Sequence, residues 1–99
     1  MTIVRVIHHV RDFEAWKPVF DQHQAVREQH GAEGHALFRD SSDPNLITVV
    51  NRFATAEGAH AFAQHPSLPE AMQRAGVDSQ PGIAFLEMVE DVQYTAARA

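Results

Sequence analysis

The sequence predicts one α+β domain, in which an antiparallel sheet carries helices on a single face in the order βαββαβ. Runs rich in β-branched residues alternate with segments whose apolar residues recur every three or four positions. The 99 residues, 44% of them hydrophobic, are enough for one core and too few for two, since domains usually span roughly 50 to 250 residues. We therefore expect residues 1–99 to form a single domain.

The first strand and the first helix occupy the first third of the chain. Thr2–Val10 is dense in β-branched residues and apolar on both alternate rows, which predicts a strand covered on both faces. Asp12 is placed to cap a helix that Gly31 ends, and Pro18 predicts a kink within it because proline lacks the amide hydrogen. The inward positions of this helix are predicted to be Phe13, Trp16, Val19, Phe20, His23, Val26 and His30.

A hairpin and a second helix follow. Glu33–Arg39 and Leu46–Phe53 are β-rich and are separated by turn-forming residues, so they should pair as neighbouring strands. Thr55 is expected to cap a helix over Ala56–Gln64, whose small alanine face flanks Phe62 and permits close approach to a sheet.

A short third helix and a last strand complete the pattern. Ser67 and Glu70 have the spacing of a capping box, and Gly76 is placed to end that helix. Ile83–Val92 predicts the fourth strand. Right-handed crossovers then give a ferredoxin-like sheet with one uncovered face. Because the first and last strands are apolar on both rows, we expect a second copy of the sheet to cover that face in a homodimer.

Composition restricts the classes of partner. The net charge of −5 and eight scattered basic residues argue against nucleic acid, whose phosphates need clustered Lys and Arg. The absence of cysteine excludes disulfides, thiolate nucleophiles and cysteine-type zinc sites. Residues Met1–Val10 are too few and too polar for a signal peptide or a membrane span, so the sequence predicts a cytoplasmic protein with no membrane partner.

Four segments resemble a known superfamily. They are His8–Asp21 (HHVRDFEAWKPVFD), Leu37–Asp40 (LFRD), Asp43–Asn45 (DPN) and Ala71–Val77 (AMQRAGV). With these segments the sequence is similar to a small bacterial branch of the dimeric α+β barrel superfamily, close to the antibiotic biosynthesis monooxygenases. The resemblance covers nearly the whole chain, and it implies a homodimer in which two four-stranded sheets face each other.

The resemblance leaves the reaction open. Activities of that superfamily include cofactor-free oxygenation of polyketide phenols, haem degradation, lactone isomerisation and polyketide cyclisation, so the scaffold does not select one of them. Haem-degrading members pair an Asn on the first strand with a Trp and an axial His near the second helix. Here the first strand has no Asn and Trp16 lies on the first helix, although His60 and His65 remain near the second. We expect neither haem nor any other cofactor.

His8 is the candidate catalytic residue. It shares an alternate row with Val4 and Val6, so its side chain should point from an apolar strand into a covered layer. A buried imidazole there would have a lowered pKa and would act as a neutral base near pH 7. The alternative is a core histidine whose nitrogens are satisfied by a backbone carbonyl or a helix side chain.

The residues around His8 suggest a slot for a flat ligand. Trp16 and Phe20 are expected to form aromatic walls, with ordinary core packing as the alternative. Asn51 is the candidate donor to an oxyanion. His35, Arg39 and Arg52 are the other possible donors, but strand alternation splits each adjacent pair between faces, so at most half of these four share one pocket. The predicted pocket comprises Val6, Trp16, Phe20, Phe62, His65 and Met72.

The other histidines give weaker signals. His9 should point to the face opposite His8 and form a polar pair with Arg5 at the dimer interface. His60 and His65 are five residues apart, which places them about 140° apart around a helix. This spacing does not suit a shared metal ion, and a pair of His8 with His23 or His30 is the remaining possibility. We predict no metal site.

Two functions fit the sequence. The first is a cofactor-independent monooxygenase, cyclase or isomerase that removes a proton from a small aromatic or enol substrate in an apolar pocket, with His8 as the base. The alternative is a non-catalytic homodimer that binds a small hydrophobic ligand or an interaction partner.

Overall fold

The computed structural model describes residues 1–95, within which four strands and four helices follow the predicted order. Residues 96–99 of the expected domain lie outside that range. The elements are β1 (Thr2–His9), α1 (Phe13–Gln22), α2 (Gln24–Gln29), β2 (Ala32–Arg39), β3 (Leu46–Phe53), α3 (Ala56–Ala63), α4 (Ser67–Arg74) and β4 (Gly82–Glu87).

The strands form one antiparallel sheet in the order β2-β3-β1-β4. Val6 lies opposite Val49 of β3 on one side and Ile83 of β4 on the other. Opposed residues in a sheet share a face, so this row and its alternate neighbours all point to the same side. That side carries the hydrophobic core and the helices, which confirms the ferredoxin-like α+β fold.

The long first helix is divided in two, and the division does not fall at Pro18. Asp12 caps α1 as predicted, accepting a hydrogen bond from the Glu14 amide. The helix continues through Pro18 to Gln22, and His23 then separates α1 from α2 with φ −85° and ψ 1°. The predicted kink site is therefore wrong by five residues.

The α4 capping box is also a wrong prediction. The Ser67 hydroxyl does not reach back into its own helix; it bonds to His23 Nε2 at 2.8 Å. The Ser67 amide is satisfied instead by His65 Nδ1 at 3.1 Å. The neighbouring predictions hold, since Thr55 Oγ1 accepts from the Gly58 amide and Gly76 closes α4 with φ +84°.

The fourth strand is shorter than predicted, because it ends at Glu87 rather than Val92. Glu87 is paired with Thr2, and the Met88 amide then bonds to the Met1 carbonyl. Among residues 1–95, no pairing of this segment with β1 is found beyond that bond. The segment after Glu87 is therefore exposed in the described chain, with Val89 at 95%.

The face opposite the helices is uncovered in the single chain and carries large apolar side chains. Ile7, Phe38 and Leu86 point to this side and are 36%, 55% and 41% exposed. The apolar character predicted for both faces of β1 is thus present. Among residues 1–95, no helix is both long and apolar enough to cross a membrane.

Candidate functional site

A cavity lies between the sheet and its helices. Strand residues line one wall, α1 and α2 a second, and α3 and α4 the remainder. The space open to the centre of a water molecule is about 50 Å³, well below the ~300–1,000 Å³ of typical ligand sites. A ligand larger than a single ring must therefore displace a wall, and Phe20 and Met72 are half-buried lining residues that could move. The lining residues are Val6, His8, Trp16, Val19, Phe20, His23, Arg27, Val49, Asn51, Phe62, Leu68, Ala71, Met72 and Ala75.

His8 lies in this cavity, as its alternation on β1 predicted. Its side chain is 4% exposed, and neither Nδ1 nor Nε2 has a hydrogen-bond partner among the described residues. The alternative of a satisfied core histidine is therefore not what the structure shows. Burial lowers the pKa of His8 from 6.5 to about 4, because removal from water disfavours the charged imidazolium. The ring is neutral at pH 7 and has a free acceptor nitrogen.

Trp16 and Phe20 form an aromatic wall beside His8. Their rings stack with centroids 4.9 Å apart and an interplanar angle of 18°. The edge of Trp16 meets His8 at 5.7 Å between centroids. Trp16 is buried in the core and Phe20 is packed against it, so the wall is also part of the hydrophobic core. The predicted slot and the alternative of core packing describe the same residues.

Asn51 reaches the cavity from β3. It is 2% exposed; its Nδ2 donates to the Val4 carbonyl at 3.3 Å, whereas Oδ1 has no partner among residues 1–95. The amide thus has a free acceptor, suited to a substrate hydroxyl, and one further hydrogen on Nδ2 that can donate to an oxyanion. Asn51 and His8 point from adjacent strands to the same side of the sheet.

Arg27 is a lining residue that the sequence analysis missed. It is 3% exposed, donates from Nη1 to the Phe20 carbonyl at 2.9 Å, and has its guanidinium carbon 3.9 Å from the centroid of the Phe20 ring. Nη2 has no partner, and no described carboxylate forms an ion pair with it. Burial lowers the pKa of Arg27 to about 10, so the group remains a cation at neutral pH.

A spacing signal for Arg27 was present in the sequence. Trp16, Phe20, His23 and Arg27 recur at intervals of four, three and four, which is one continuous helical stripe. The sequence analysis placed Val26 on the inward side and did not consider Arg27, a residue type that is rarely buried without a partner.

Several predicted residues lie elsewhere. His65 does not line the cavity; it accepts from the Ser67 amide and meets the His30 ring edge-on at 5.3 Å. His9 pairs with Asp78 at 2.6 Å and Asp43 at 3.4 Å rather than with Arg5. Its pKa is raised, mainly by the hydrogen bond that it donates to Asp78.

None of the three other possible donors lines the cavity together with Asn51. His35 meets the Phe20 ring edge-on at 4.9 Å and is not among the cavity residues. The Arg39 guanidinium lies 4.2 Å from the centroid of Phe13. Arg52 is on the uncovered face, where its guanidinium lies against Gly34. Within residues 1–95 no three His, Asp or Glu side chains converge on a point where a metal ion could be held.

The comparisons identify the fold and no individual role. No protein-family model matches the sequence. No curated protein is significantly similar to it. Among solved structures, SnoaB, a cofactor-independent oxygenase from Streptomyces nogalater, is 14% identical with a TM-score of 0.72, over 94% of this chain and 96% of that chain.

Two further structures are similar over almost their entire length. A protein of Deinococcus radiodurans, described as a proposed antibiotic biosynthesis monooxygenase, is 17% identical with a TM-score of 0.69, over 96% of this chain and 99% of that chain. NE2512 of Nitrosomonas europaea, of unknown function, is 14% identical with a TM-score of 0.70, over 95% of this chain and 94% of that chain. The predicted likeness to antibiotic biosynthesis monooxygenases is thus confirmed at the level of the fold.

Proposed function

We propose that this chain is a cofactor-independent enzyme that removes a proton from a flat phenolic or enolic substrate, the step with which a monooxygenase, cyclase or isomerase of this kind would begin. The observation that carries the proposal is His8, a buried neutral imidazole with both nitrogens unpartnered, beside an aromatic wall in an apolar cavity. The shared fold with SnoaB supports it.

In this proposal, each cavity residue has a separate role in proton removal. The substrate ring packs against Trp16 and Phe20, and a free nitrogen of His8 accepts the proton while the electron pair stays on the substrate as an enolate or phenolate. A negative charge developing beside the ring raises the pKa of His8 during the transfer. Asn51 meets the substrate oxygen with its free amide hydrogen or with Oδ1.

Anthrone is a suitable probe for the chemistry, because its methylene protons are acidic and its enol is flat, and its three rings require the Phe20 or Met72 side chain to move. Under anaerobic conditions in D2O, we expect the protein to accelerate exchange of the methylene protons, followed as loss of their NMR signal. His8→Ala should reduce that acceleration at least about a hundredfold, as is typical when a general base is removed. His60→Ala, which removes an exposed histidine outside the cavity, is the matched control. Equal exchange with His8→Ala and the wild type would contradict the assignment.

Oxygen distinguishes the monooxygenase from the other two reactions. In a monooxygenase, one methylene group and one O2 give one carbonyl group and one water, so anthrone becomes anthraquinone with equimolar O2 uptake. An isomerase or cyclase would catalyse proton exchange without this uptake. Anthraquinone absorbance and an oxygen electrode measure the two quantities.

A second candidate is a module that binds a small hydrophobic ligand without transforming it. The observation in its favour is that no group among residues 1–95 forms a hydrogen bond that would orient His8, whereas catalytic bases are commonly held by one. Anthrone that binds the cavity but exchanges no faster than in buffer would support this candidate over the enzyme.

A further inference from the structure

The Arg27 side chain is a buried cation that no carboxylate of residues 1–95 contacts as an ion pair, although the charges of Asp21 and Glu28 act on it from farther away. Its guanidinium makes one hydrogen bond, to the Phe20 carbonyl, and leaves Nη2 unpaired at 3% exposure of the residue. An unpaired buried charge destabilises a fold unless another group compensates it. Such a residue in a cavity wall suggests that the compensating group is a ligand.

Two cavities meet at Arg27, and their charges differ. The second cavity is lined by Gln24, Glu28, Ala32, Glu33, Gly34 and His35 as well as Arg27. Two of these residues are carboxylates, which repel an anion. Among the described residues, the main cavity has Arg27 and no acidic side chain in its lining. An anionic group is therefore favoured on the side of the main cavity.

The other cations near the cavity have carboxylate partners. Lys17 is bonded to Asp21, and Arg74 lies 3.8 Å from Glu70. Arg27 is therefore the cation of the cavity wall that no carboxylate of residues 1–95 contacts as an ion pair.

We propose that Arg27 binds the carboxylate of a small phenolic or enolic acid whose ring occupies the cavity between Trp16, Phe20 and His8. This inference names a substrate class for the proposed function and rests on it. Arg presents paired, planar donors that match a carboxylate, and the free Nη2 supplies one of them. The ligand's charge compensates the buried guanidinium, and its ring lies within the same cavity as His8.

The test compares 4-hydroxybenzoate with 4-hydroxybenzamide, which has the same ring and phenol without the negative charge. Trp16 is the single tryptophan of the sequence and lines the cavity, so its fluorescence reports occupancy directly. We expect the acid to bind roughly ten- to a hundredfold more tightly than the amide, as for a hydrogen bond to a charged group.

Arg27→Met keeps the aliphatic stem against Phe20 and removes the charge. It should abolish the preference for the acid over the amide. Arg27→Lys, which retains the charge without the planar donors, should give an intermediate preference. Arg74→Met is the matched control, because it removes an exposed cation that also acts on His23, and it should leave the preference within about twofold.

The outcomes separate this inference from the proposed function. Equal affinity of the wild type for acid and amide would overturn the carboxylate assignment while leaving the cavity as a ring-binding site. A preference for the acid that survives in a folded Arg27→Met would also overturn it. If neither compound changes Trp16 fluorescence, both the carboxylate site and the proposed substrate cavity fail. The wild-type comparison needs no variant, so a variant that does not fold leaves the test intact.

Discussion

At the scale of single residues, the protonation of His8 determines both chemistry and stability. Its pKa is about 4 in the folded chain, against 6.5 for an exposed imidazole. Between those pH values the unfolded chain binds a proton that the folded chain rejects. The free energy of unfolding therefore decreases as pH falls from about 6.5 towards 4.

Replacing His8 should reduce this pH dependence. Since each pKa unit corresponds to about 1.4 kcal/mol, the wild type should lose about 2 kcal/mol of stability through His8 between pH 7.5 and pH 5. Over that interval, the free energy of unfolding of His8→Leu should decrease by about this amount less than that of the wild type. Urea denaturation at one protein concentration measures both. The lowered pKa values of His23 and His35 contribute in the same sense and the raised pKa of His9 in the opposite sense, so both variants are compared over the same pH interval. A dependence identical to that of the wild type would contradict the burial of a neutral His8.

The same pKa predicts the pH profile of catalysis. Because His8 stays neutral well below pH 6.5, kcat/KM for the anthrone reaction should be constant between about pH 5 and pH 8. An inflection near pH 6.5 would show that the base is an exposed imidazole instead. The measurement requires confirmation by circular dichroism that the protein remains folded at each pH.

Among the cavity residues, those on strands followed from the sequence more easily than those on helices. Strand alternation placed Val6, His8 and Asn51 on the correct face, because the side-chain period of two is strict. A helix stripe is broader, so adjacent positions such as Val26 and Arg27 can both face the core, and only Val26 was predicted to do so. The choice depended on tertiary packing against Phe20, which the sequence pattern does not contain.

At the scale of elements, the bond between Ser67 and His23 joins the start of α4 to the break between α1 and α2. Both side chains are at least half-buried, and their Oγ and Nε2 atoms are 2.8 Å apart. Ser67 therefore links two walls of the cavity and does not cap its own helix. This arrangement could not be inferred from spacing, since a capping box and a tertiary hydrogen bond use the same serine.

Ser67→Ala should destabilise the protein by about 1 to 2 kcal/mol, because it leaves a buried imidazole nitrogen unpaired. Double-mutant cycles then identify the side chain with which the Ser67 hydroxyl interacts. We expect a coupling energy of more than about 0.5 kcal/mol between Ser67→Ala and His23→Ala, and none between Ser67→Ala and Glu70→Ala. Coupling to Glu70 alone would support the capping box and contradict the bond to His23. Ser41→Ala, on an exposed turn, is the control for a serine without such contacts.

The bounds of a strand were predictable where that strand lies between two others in the sheet. Leu46–Phe53 is observed as predicted, with β1 and β2 on its two sides. The last strand was overestimated because Met88–Val92 has strand-like composition, whereas the pairing of β4 with β1 ends at Glu87 opposite Thr2. Propensity alone cannot supply a pairing partner, and a strand ends where its partner ends.

At the scale of the whole molecule, the uncovered face of the sheet exposes apolar side chains that another surface would bury. It combines Ile7, Phe38 and Leu86 with Arg5, whose buried Nε has no partner among residues 1–95. Exposed apolar residues grouped on one face are typical of an interface. A second copy would cover this face and could bring the acidic residues that follow β4 towards the arginines.

Ile7→Asp should therefore dissociate the homodimer that we predict. A carboxylate placed in the buried centre of an apolar interface costs several kcal/mol, so the dissociation constant should rise at least about a hundredfold. Ile83→Asp is the matched control, because Ile83 has 42% exposure against 36% for Ile7 but points to the helical side of the same sheet. Sedimentation velocity at micromolar concentration should show dimers for the wild type and Ile83→Asp, and monomers for Ile7→Asp. A wild type that sediments as a folded monomer, or equal dissociation by both variants, would rule out the uncovered face as the interface.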